Sequence, residues 1–119
     1  VQPIFDAGLA DVVAVDADLG DGLRLAPTPG HTPGHTSLWI ESAGARAVVT
    51  GDLIHHPVQC AEPAWKEIGD VDEALATTTR RAFLDEVAGT DTLVVGTHFP
   101  TRPAGHVVAA GEAYRFLPA

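Results

Sequence analysis

Two segments in the middle of the chain each have three consecutive apolar residues flanked by polar ones. Residues 36–41 and 46–50 show this pattern and contain β-branched or aromatic residues, which predicts β-strands. Ala43 and Gly44 lie between the two segments and favour a tight turn. The pattern therefore predicts a hairpin.

The register of this hairpin follows from its turn. With Ala43 and Gly44 at the centre of the turn, continuing the pairing along both strands places His35 opposite Asp52. Directly opposed residues lie about 4.5–5.5 Å apart at Cα. We therefore expect these two side chains to be within reach of a shared ion.

A longer period appears in residues 71–88, where apolar side chains recur at helical spacing. Asp70 precedes this run and Glu73 follows three positions later, the arrangement of a helix N-terminus, and Gly89 is typical of a helix end. The spacing predicts one helix that packs on a sheet by one face. The apolar positions of that face are Val71, Leu75, Phe83 and Val87.

The remaining apolar segments predict further strands. Residues 12–15 and 23–25 predict a strand pair, residues 92–97 a buried strand that ends at His98, and residues 107–110 and 113–116 two closing strands. No repeat or linker interrupts the pattern. We expect an α/β chain that is one domain or part of one.

Turn-forming residues are concentrated in two loops. Residues 27–35 contain two Pro-Gly steps, each of which suits the central positions of a type II turn. Residues 53–69 form a long second loop, which we expect to shape the choice of substrate.

Composition narrows the classes of partner. The chain has 16 acidic and 7 basic residues and a formal charge of −9, which disfavours nucleic acid and anionic membrane surfaces as partners. No apolar run approaches the roughly 20 residues that span a bilayer. Cys60 is the only cysteine, so no internal disulfide can form. This cysteine usage is compatible with a reducing cytoplasm, and we expect a cytoplasmic protein.

Three residues that can bind metal lie where predicted strands meet loops. His35 precedes one strand, Asp52 follows the next, and His98 follows a third. Imidazole and carboxylate are ligands of catalytic zinc, and a carboxylate can bridge two ions that together activate water for hydrolysis. Taken singly, each residue also suits a solvated turn or a helix cap.

Taken together, these motifs resemble a known family. The segment Thr-Pro-Gly-His-Thr-Pro-Gly-His over residues 28–35, Gly-Asp over 51–52 and Thr-His-Phe-Pro over 97–100 are similar to the later motifs of metallo-β-lactamase-fold hydrolases. The resemblance is closest to the branch that includes N-acyl homoserine lactonases and methyl parathion hydrolase. It implies the C-terminal half of an αββα sandwich. It also implies a hydrolase with two zinc ions that cleaves an ester, a lactone or a related bond of a small molecule.

The resemblance also implies roles for the motif residues. His35 would bind one metal, Asp52 would bridge the two and act in catalysis, and His98 would bind the second. His31 would order the loop or support the ligands from outside. Other candidates for a pocket wall or supporting contact are His55, His56, Gln59, Trp65, Phe99 and His106.

One departure from the family is large. Such enzymes resemble one another most in an upstream His-x-His-x-Asp-His motif, and this chain contains no His-x-His. Residues 1–119 also lack methionine and begin at Val1, so we expect an excerpt: the C-terminal portion of one domain, with the upstream metal-binding half absent. That portion would pack against the missing half or form a homodimer. The alternative is a non-catalytic truncated remnant that acts as a binding or structural module.

Overall fold

A single sheet of seven strands organises the molecule, and its strands follow one another in chain order. The computed structural model describes all residues 1–119. The strands are β1 (Asp18–Gly20), β2 (Leu23–Pro27), β3 (Thr36–Ser42), β4 (Ala45–Val49), β5 (Leu93–Val95), β6 (Ala104–Ala110) and β7 (Ala113–Pro118). All neighbours are antiparallel except β4 and β5, which run parallel and are joined by a segment that contains the long helix.

Three helices accompany the sheet: α1 (Gln2–Asp6), α2 (Val58–Ala61) and α3 (Glu73–Val87). None is long and apolar enough to cross a membrane. Only α3 is long, and it covers one face of the sheet, so the α/β fold class predicted from the sequence is confirmed.

The predicted hairpin forms with the expected turn. Ser42 pairs with Ala45, and the turn residues Ala43 and Gly44 both have positive φ, 48° and 83°. Positive φ at both central positions gives a turn whose twist matches that of the two strands. The register predicted from the sequence is therefore confirmed along β3 and β4.

The ladder ends before it reaches the candidate site. Its last pair is Leu38 with Val49, after which the chain enters a 3₁₀ turn over Gly51–Leu53. His35 and Asp52 are therefore not opposed on a ladder, as the extrapolated register had them. Instead, the His35 side chain accepts a hydrogen bond from the Asp52 backbone amide.

The prediction of a strand over residues 12–15 was wrong. Residues 12–15 form no strand, and β1 (Asp18–Gly20) pairs with β2 in their place. The run Val-Val-Ala-Val lies on the surface of the molecule, and Val12 is 82% exposed. Apolar content alone did not specify a sheet position.

Helix α3 begins two residues later and ends one residue earlier than predicted. Its N-cap is Asp72, whose side chain accepts a hydrogen bond from the Leu75 N–H at 2.9 Å. Val71 and Leu75 were predicted to face the sheet, but they are 70% and 40% exposed. The packed face is formed by Ala76, Arg80, Phe83, Leu84 and Val87.

Both predicted loops differ in detail from the sequence prediction. Gly30 has φ of +136°, but Gly34 has no positive φ, so the second Pro-Gly step is not a type II turn. The loop over residues 53–69 contains the short helix α2. The closing strands β6 and β7 are confirmed and are longer than predicted, whereas β5 is shorter.

The two faces of the sheet differ in burial. Trp39, Val48 and Val94 belong to the core beneath α3 and are at most 2% exposed. The alternate residues Leu38 and Val49 lie on the opposite face, which no helix covers, and are only partly buried. The radius of gyration is 15.0 Å, whereas a compact domain of this length would have about 13.5 Å. The molecule is therefore a slab with one bare apolar face.

Candidate metal centre

Four histidines surround one aspartate at the edge of the sheet where β4 and β5 end. The imidazoles of His55 and His98 are stacked, with ring centroids 4.7 Å apart, and those of His31 and His55 are 5.1 Å apart. Asp52 lies among them in the turn after β4. The structure thus brings residues from three separate loops to one place.

The two carboxylate oxygens of Asp52 face different histidines. Oδ1 lies 2.5 Å from His98 Nε2 and 3.9 Å from His55 Nε2, whereas Oδ2 lies 3.6 Å from His31 Nε2. The hydrogen bond with His98, followed by the nearby charges of His31, His98 and His55, lowers the pKa of this carboxyl. Asp52 is therefore an ionised group with a histidine on each side.

The protein itself occupies both ring nitrogens of His35. A carbonyl can only accept, so Nδ1–H donates to the Thr28 carbonyl at 3.0 Å, and Nε2 accepts the Asp52 backbone N–H at 2.9 Å. Burial lowers the pKa of His35, in agreement with a neutral ring. In this arrangement His35 has no free lone pair and holds the backbone of Asp52 in place.

Only one ring nitrogen of His31 has a hydrogen-bond partner in the protein. Its Nδ1 lies 3.1 Å from Asp70 Oδ1, and the Asp70 side chain is 1% exposed. A carboxylate accepts the Nδ1 proton and leaves Nε2 directed at Asp52. Metal-binding histidines usually have this arrangement, with a carboxylate or carbonyl on the nitrogen that does not bind.

His55 has an unusual environment. Its Nδ1 is buried and has no hydrogen-bond partner, and burial lowers the pKa of the ring. One ligand atom each from Asp52, His55 and His98 lie within 4.8 Å of one another, close enough for one ion. His55 was predicted as a supporting residue, and the structure places it beside the carboxylate.

Buried hydroxyl groups fix the strand ends beneath this cluster. Thr28 Oγ1 lies 3.1 Å from Ser37 Oγ, which donates to the Thr50 carbonyl at 3.1 Å. Gly51 lies directly against the His35 ring. The φ of Gly51 is +57°, and a Cβ at this position would lie 2.7 Å from His35 Nε2, so glycine is needed for this close approach. Local sequence thus determines where Asp52 is presented.

The other residues singled out from the sequence are dispersed. His56 is exposed, and its Nδ1 accepts the Val58 N–H. Trp65 is 57% exposed, whereas Phe99 is buried and packs edge-on against Phe116. The ring of His106 donates to the Thr92 carbonyl at the other end of β5.

Gln59 and Arg80 organise the loop that follows Asp52. Gln59 is buried; its Oε1 accepts the His55 N–H and its Nε2 donates to the Trp65 carbonyl. The sequence had suggested no role for Asp70 beyond the start of a helix and none for Arg80. The one signal for Arg80 was its position within the apolar stripe of α3.

The donor set suits a divalent ion. It offers two or three imidazoles and one ionised carboxylate that presents an oxygen to each side, which are the ligand types of catalytic zinc sites. The cluster is open to solvent through Asp52 and His98, whose side chains are 41% and 45% exposed. A small molecule could therefore reach it.

Comparison with known proteins identifies the family to which the chain is similar. The profile of the metallo-beta-lactamase superfamily matches residues 2–98. A crystal structure of AbOPH, a hydrolase of the beta lactamase superfamily, is 27% identical with a TM-score of 0.90. AidC, a dizinc quorum-quenching lactonase seen in complex with its product N-hexanoyl-L-homoserine, is 27% identical with a TM-score of 0.87. Each of these two alignments covers 99% of this chain and 41% of the other protein.

More distant structures share the fold. A hydrolase from Staphylococcus aureus, described as a probable metal-dependent hydrolase, is 19% identical with a TM-score of 0.74, over 95% of this chain and 41% of that one. A search of curated protein sequences gives no significant match. The chain spans about 41% of the length of these three structures. The profile match covers most of the chain and confirms the resemblance seen in its motifs: the chain belongs to the metallo-beta-lactamase superfamily.

Proposed function

We propose that this chain supplies part of the site of a dinuclear zinc hydrolase that cleaves an ester, a lactone or a related bond. The observation that carries the proposal is the placement of Asp52, with one oxygen toward His31 and the other toward His98. A carboxylate so placed can bridge two ions, each of which also has a histidine.

The geometry favours His31 over His35 as the metal ligand from the Pro-Gly-His repeat. His31 has a free Nε2 beside Asp52, whereas both nitrogens of His35 are engaged by Thr28 and Asp52. We assign His31 as a ligand of the first ion and His98 of the second. His35 then positions the bridging residue, and His55 is a further ligand or a contact to substrate.

When bound, two such ions would supply a Lewis acid and lower the pKa of a water molecule that attacks the substrate. The chain's own contribution is to hold the carboxylate ionised and in place. Asp52 is fixed through its backbone by His35 and through its side chain by His98. Its catalytic role follows from that fixed position.

An ester or lactone substrate is supported by similarity. The lactonase AidC matches nearly the whole chain, and the motifs of residues 28–35 and 51–52 resemble those of the same branch of the family. A cytoplasmic location and a small-molecule substrate remain predictions from the sequence.

We also propose that residues 1–119 are the C-terminal portion of a longer domain. A catalytic zinc normally has three protein ligands, whereas this chain offers one or two histidines and a shared carboxylate per ion. The bare face of the sheet requires an equally apolar cover. The upstream half of the domain would supply both the cover and the remaining ligands, and a homodimer is the other arrangement that would cover the face.

The test uses the protein at its full encoded length. Hydrolysis of N-hexanoyl homoserine lactone should be lost after treatment with a chelator and should return when zinc is added. Asp52→Asn should lower turnover at least ~100-fold, by analogy with the loss of a transition-state charge interaction. Asp91→Asn, the same change on an exposed loop, should leave turnover unchanged. A protein that neither binds zinc nor hydrolyses esters or lactones would be the non-catalytic remnant instead.

A further inference from the structure

A buried ion pair lies directly behind the metal centre. Asp70 Oδ2 is 3.5 Å from Arg80 Nη2, and each side chain is 1% exposed. Removing two charges from water is costly unless their geometry and remaining hydrogen bonds compensate. A pair buried this completely next to the candidate site points to a positioning role, because the mutual attraction of two buried charges adds little net stability by itself.

The carboxylate of Asp70 connects the pair to the site. Its other oxygen, Oδ1, is 3.1 Å from His31 Nδ1, and His31 Nε2 is 3.6 Å from Asp52 Oδ2. The four groups therefore form one continuous line from the core to the carboxylate: Arg80, Asp70, His31 and Asp52.

Arg80 also secures the loop after Asp52. Its Nε donates to the Leu53 carbonyl at 2.9 Å, and its Nη1 donates to the carbonyls of Pro63 and Trp65 at 2.6 and 3.2 Å. A planar guanidinium can satisfy three carbonyls and a carboxylate together, which an ammonium cannot do with the same geometry. One side chain thus fixes both the carboxylate behind His31 and the loop over residues 53–69.

Backbone hydrogen bonds hold the loop that contains His31 against the residues that follow Asp70. The Val71 N–H donates to the His31 carbonyl at 3.1 Å, and the Asp72 N–H donates to the Gly30 carbonyl at 2.9 Å. A Cβ on Gly30 would lie 2.3 Å from the Ala76 Cα, so glycine is needed for the loop to approach α3 this closely. The contact between Asp70 and His31 is therefore built into the fold.

We infer that Asp70 and Arg80 are positioning residues for the metal centre: Asp70 holds His31 with its proton on Nδ1 and Nε2 free for an ion, and Arg80 fixes Asp70 together with the loop over residues 53–69. The inference rests on the proposed function, because it assigns His31 as a ligand. It adds a supporting network that runs from helix α3 to the site.

The first readout needs no metal. In the full-length protein without metal, the ¹⁵N shifts of His31 should report the Nδ1–H form. In Asp70→Asn, which keeps the shape of the side chain and removes its charge, His31 should change toward a mixture of both neutral forms. Asp72→Asn makes the same chemical change two residues away and keeps a good helix cap, so His31 should not change there.

The second readout is zinc affinity, measured by competition with a chelating dye. Asp70→Asn should weaken binding roughly 10- to 100-fold, the usual effect of losing a carboxylate behind a metal-bound histidine. Arg80→Lys should weaken it in the same direction, whereas Arg81→Lys on the exposed face of α3 should have no effect. If Arg80→Lys does not fold, the zinc affinity of Asp70→Asn alone tests the positioning role.

The outcomes separate this inference from the proposed function. An unchanged His31 spectrum and unchanged zinc affinity in a folded Asp70→Asn protein would overturn the positioning role, even if the enzyme is an active hydrolase. A changed His31 spectrum in a protein that binds no zinc would support the contact with Asp70 and would count against the proposed function.

Discussion

His31 and His35 differ in which ring nitrogens the protein leaves free, and this difference predicts that zinc binding falls further in His31→Ala than in His35→Ala. His31→Ala removes a proposed metal ligand and leaves the buried Asp70 Oδ1 without its partner, so we expect zinc binding to fall at least ~10-fold together with a loss of stability. His35→Ala leaves the Thr28 carbonyl and the Asp52 N–H without partners, so it should cost about 1–3 kcal/mol of unfolding free energy. Metal titration and thermal melts of the two full-length variants provide the measurement.

The two variants serve as controls for one another. The assignment would be contradicted if His35→Ala kept its stability and lost zinc, while His31→Ala kept zinc. Such a result would restore the roles that the sequence motif alone suggested.

The sequence could identify the cluster but not the roles within it. The motifs placed His35, Asp52 and His98 at strand ends, and the structure brings all three together. The choice between His31 and His35 depends on Asp70, which lies 39 residues from His31, and on a backbone amide. Neither contact leaves a local pattern in the sequence.

Cys60 provides a test of pH dependence away from the site. Burial raises the pKa of this thiol from 9.0 to about 11. Above pH 9 the unfolded thiol loses its proton while the folded thiol keeps it, so stability should fall as pH rises from 9 toward 11. The slope should be about 1.4 kcal/mol per pH unit. Chemical unfolding across this range should show the slope in the native protein and a weaker one in Cys60→Ala.

The turn between β4 and the site is the element on which Asp52 depends. Gly51 has φ of +57° and lies against His35, whereas Gly44 has φ of +83° and open space where a Cβ would lie. Gly44→Ala should lose about 1–2 kcal/mol of stability, because alanine disfavours a left-handed conformation, and Gly51→Ala should lose more, because its Cβ would also press against His35. Only Gly51→Ala should also weaken zinc binding, because it displaces the ring that holds Asp52. Equal zinc affinity in the two variants would show that His35 does not position Asp52.

Elements were predictable where one local pattern decided them. Residues 36–41 and 46–50 are short apolar runs joined by Ala43 and Gly44, which form a turn with positive φ, so both the strands and their register followed from the sequence. The face of α3 was not predictable in the same way. Arg80 occupies the packed face because loop carbonyls surround its guanidinium, and those carbonyls come from distant residues.

At the scale of the whole molecule, the bare face of the sheet is the dominant feature. Leu38 pairs with Val49 and Val49 with Val95, so partly exposed apolar residues form a continuous row across three strands. Each large side chain left uncovered forgoes about 1.5–3 kcal/mol of burial free energy. Several together would rival the roughly 5–15 kcal/mol stability of a domain.

We therefore expect the isolated 1–119 segment to self-associate in sedimentation experiments. Val49→Glu, which puts a charge on the bare face, should reduce this association. Val12→Glu, at a valine outside the sheet, should reduce it less. A monomeric segment with a cooperative thermal transition would contradict the proposal that this face needs a cover.

The central claim, that Asp52 bridges two ions, is tested most directly by anomalous scattering. Crystals of the full-length protein grown with zinc should give two anomalous peaks at the zinc edge, one on each side of the Asp52 carboxylate. We predict that one peak lies beside His31 and the other beside His98. A single peak bound by His35, or no peak near Asp52, would contradict the claim.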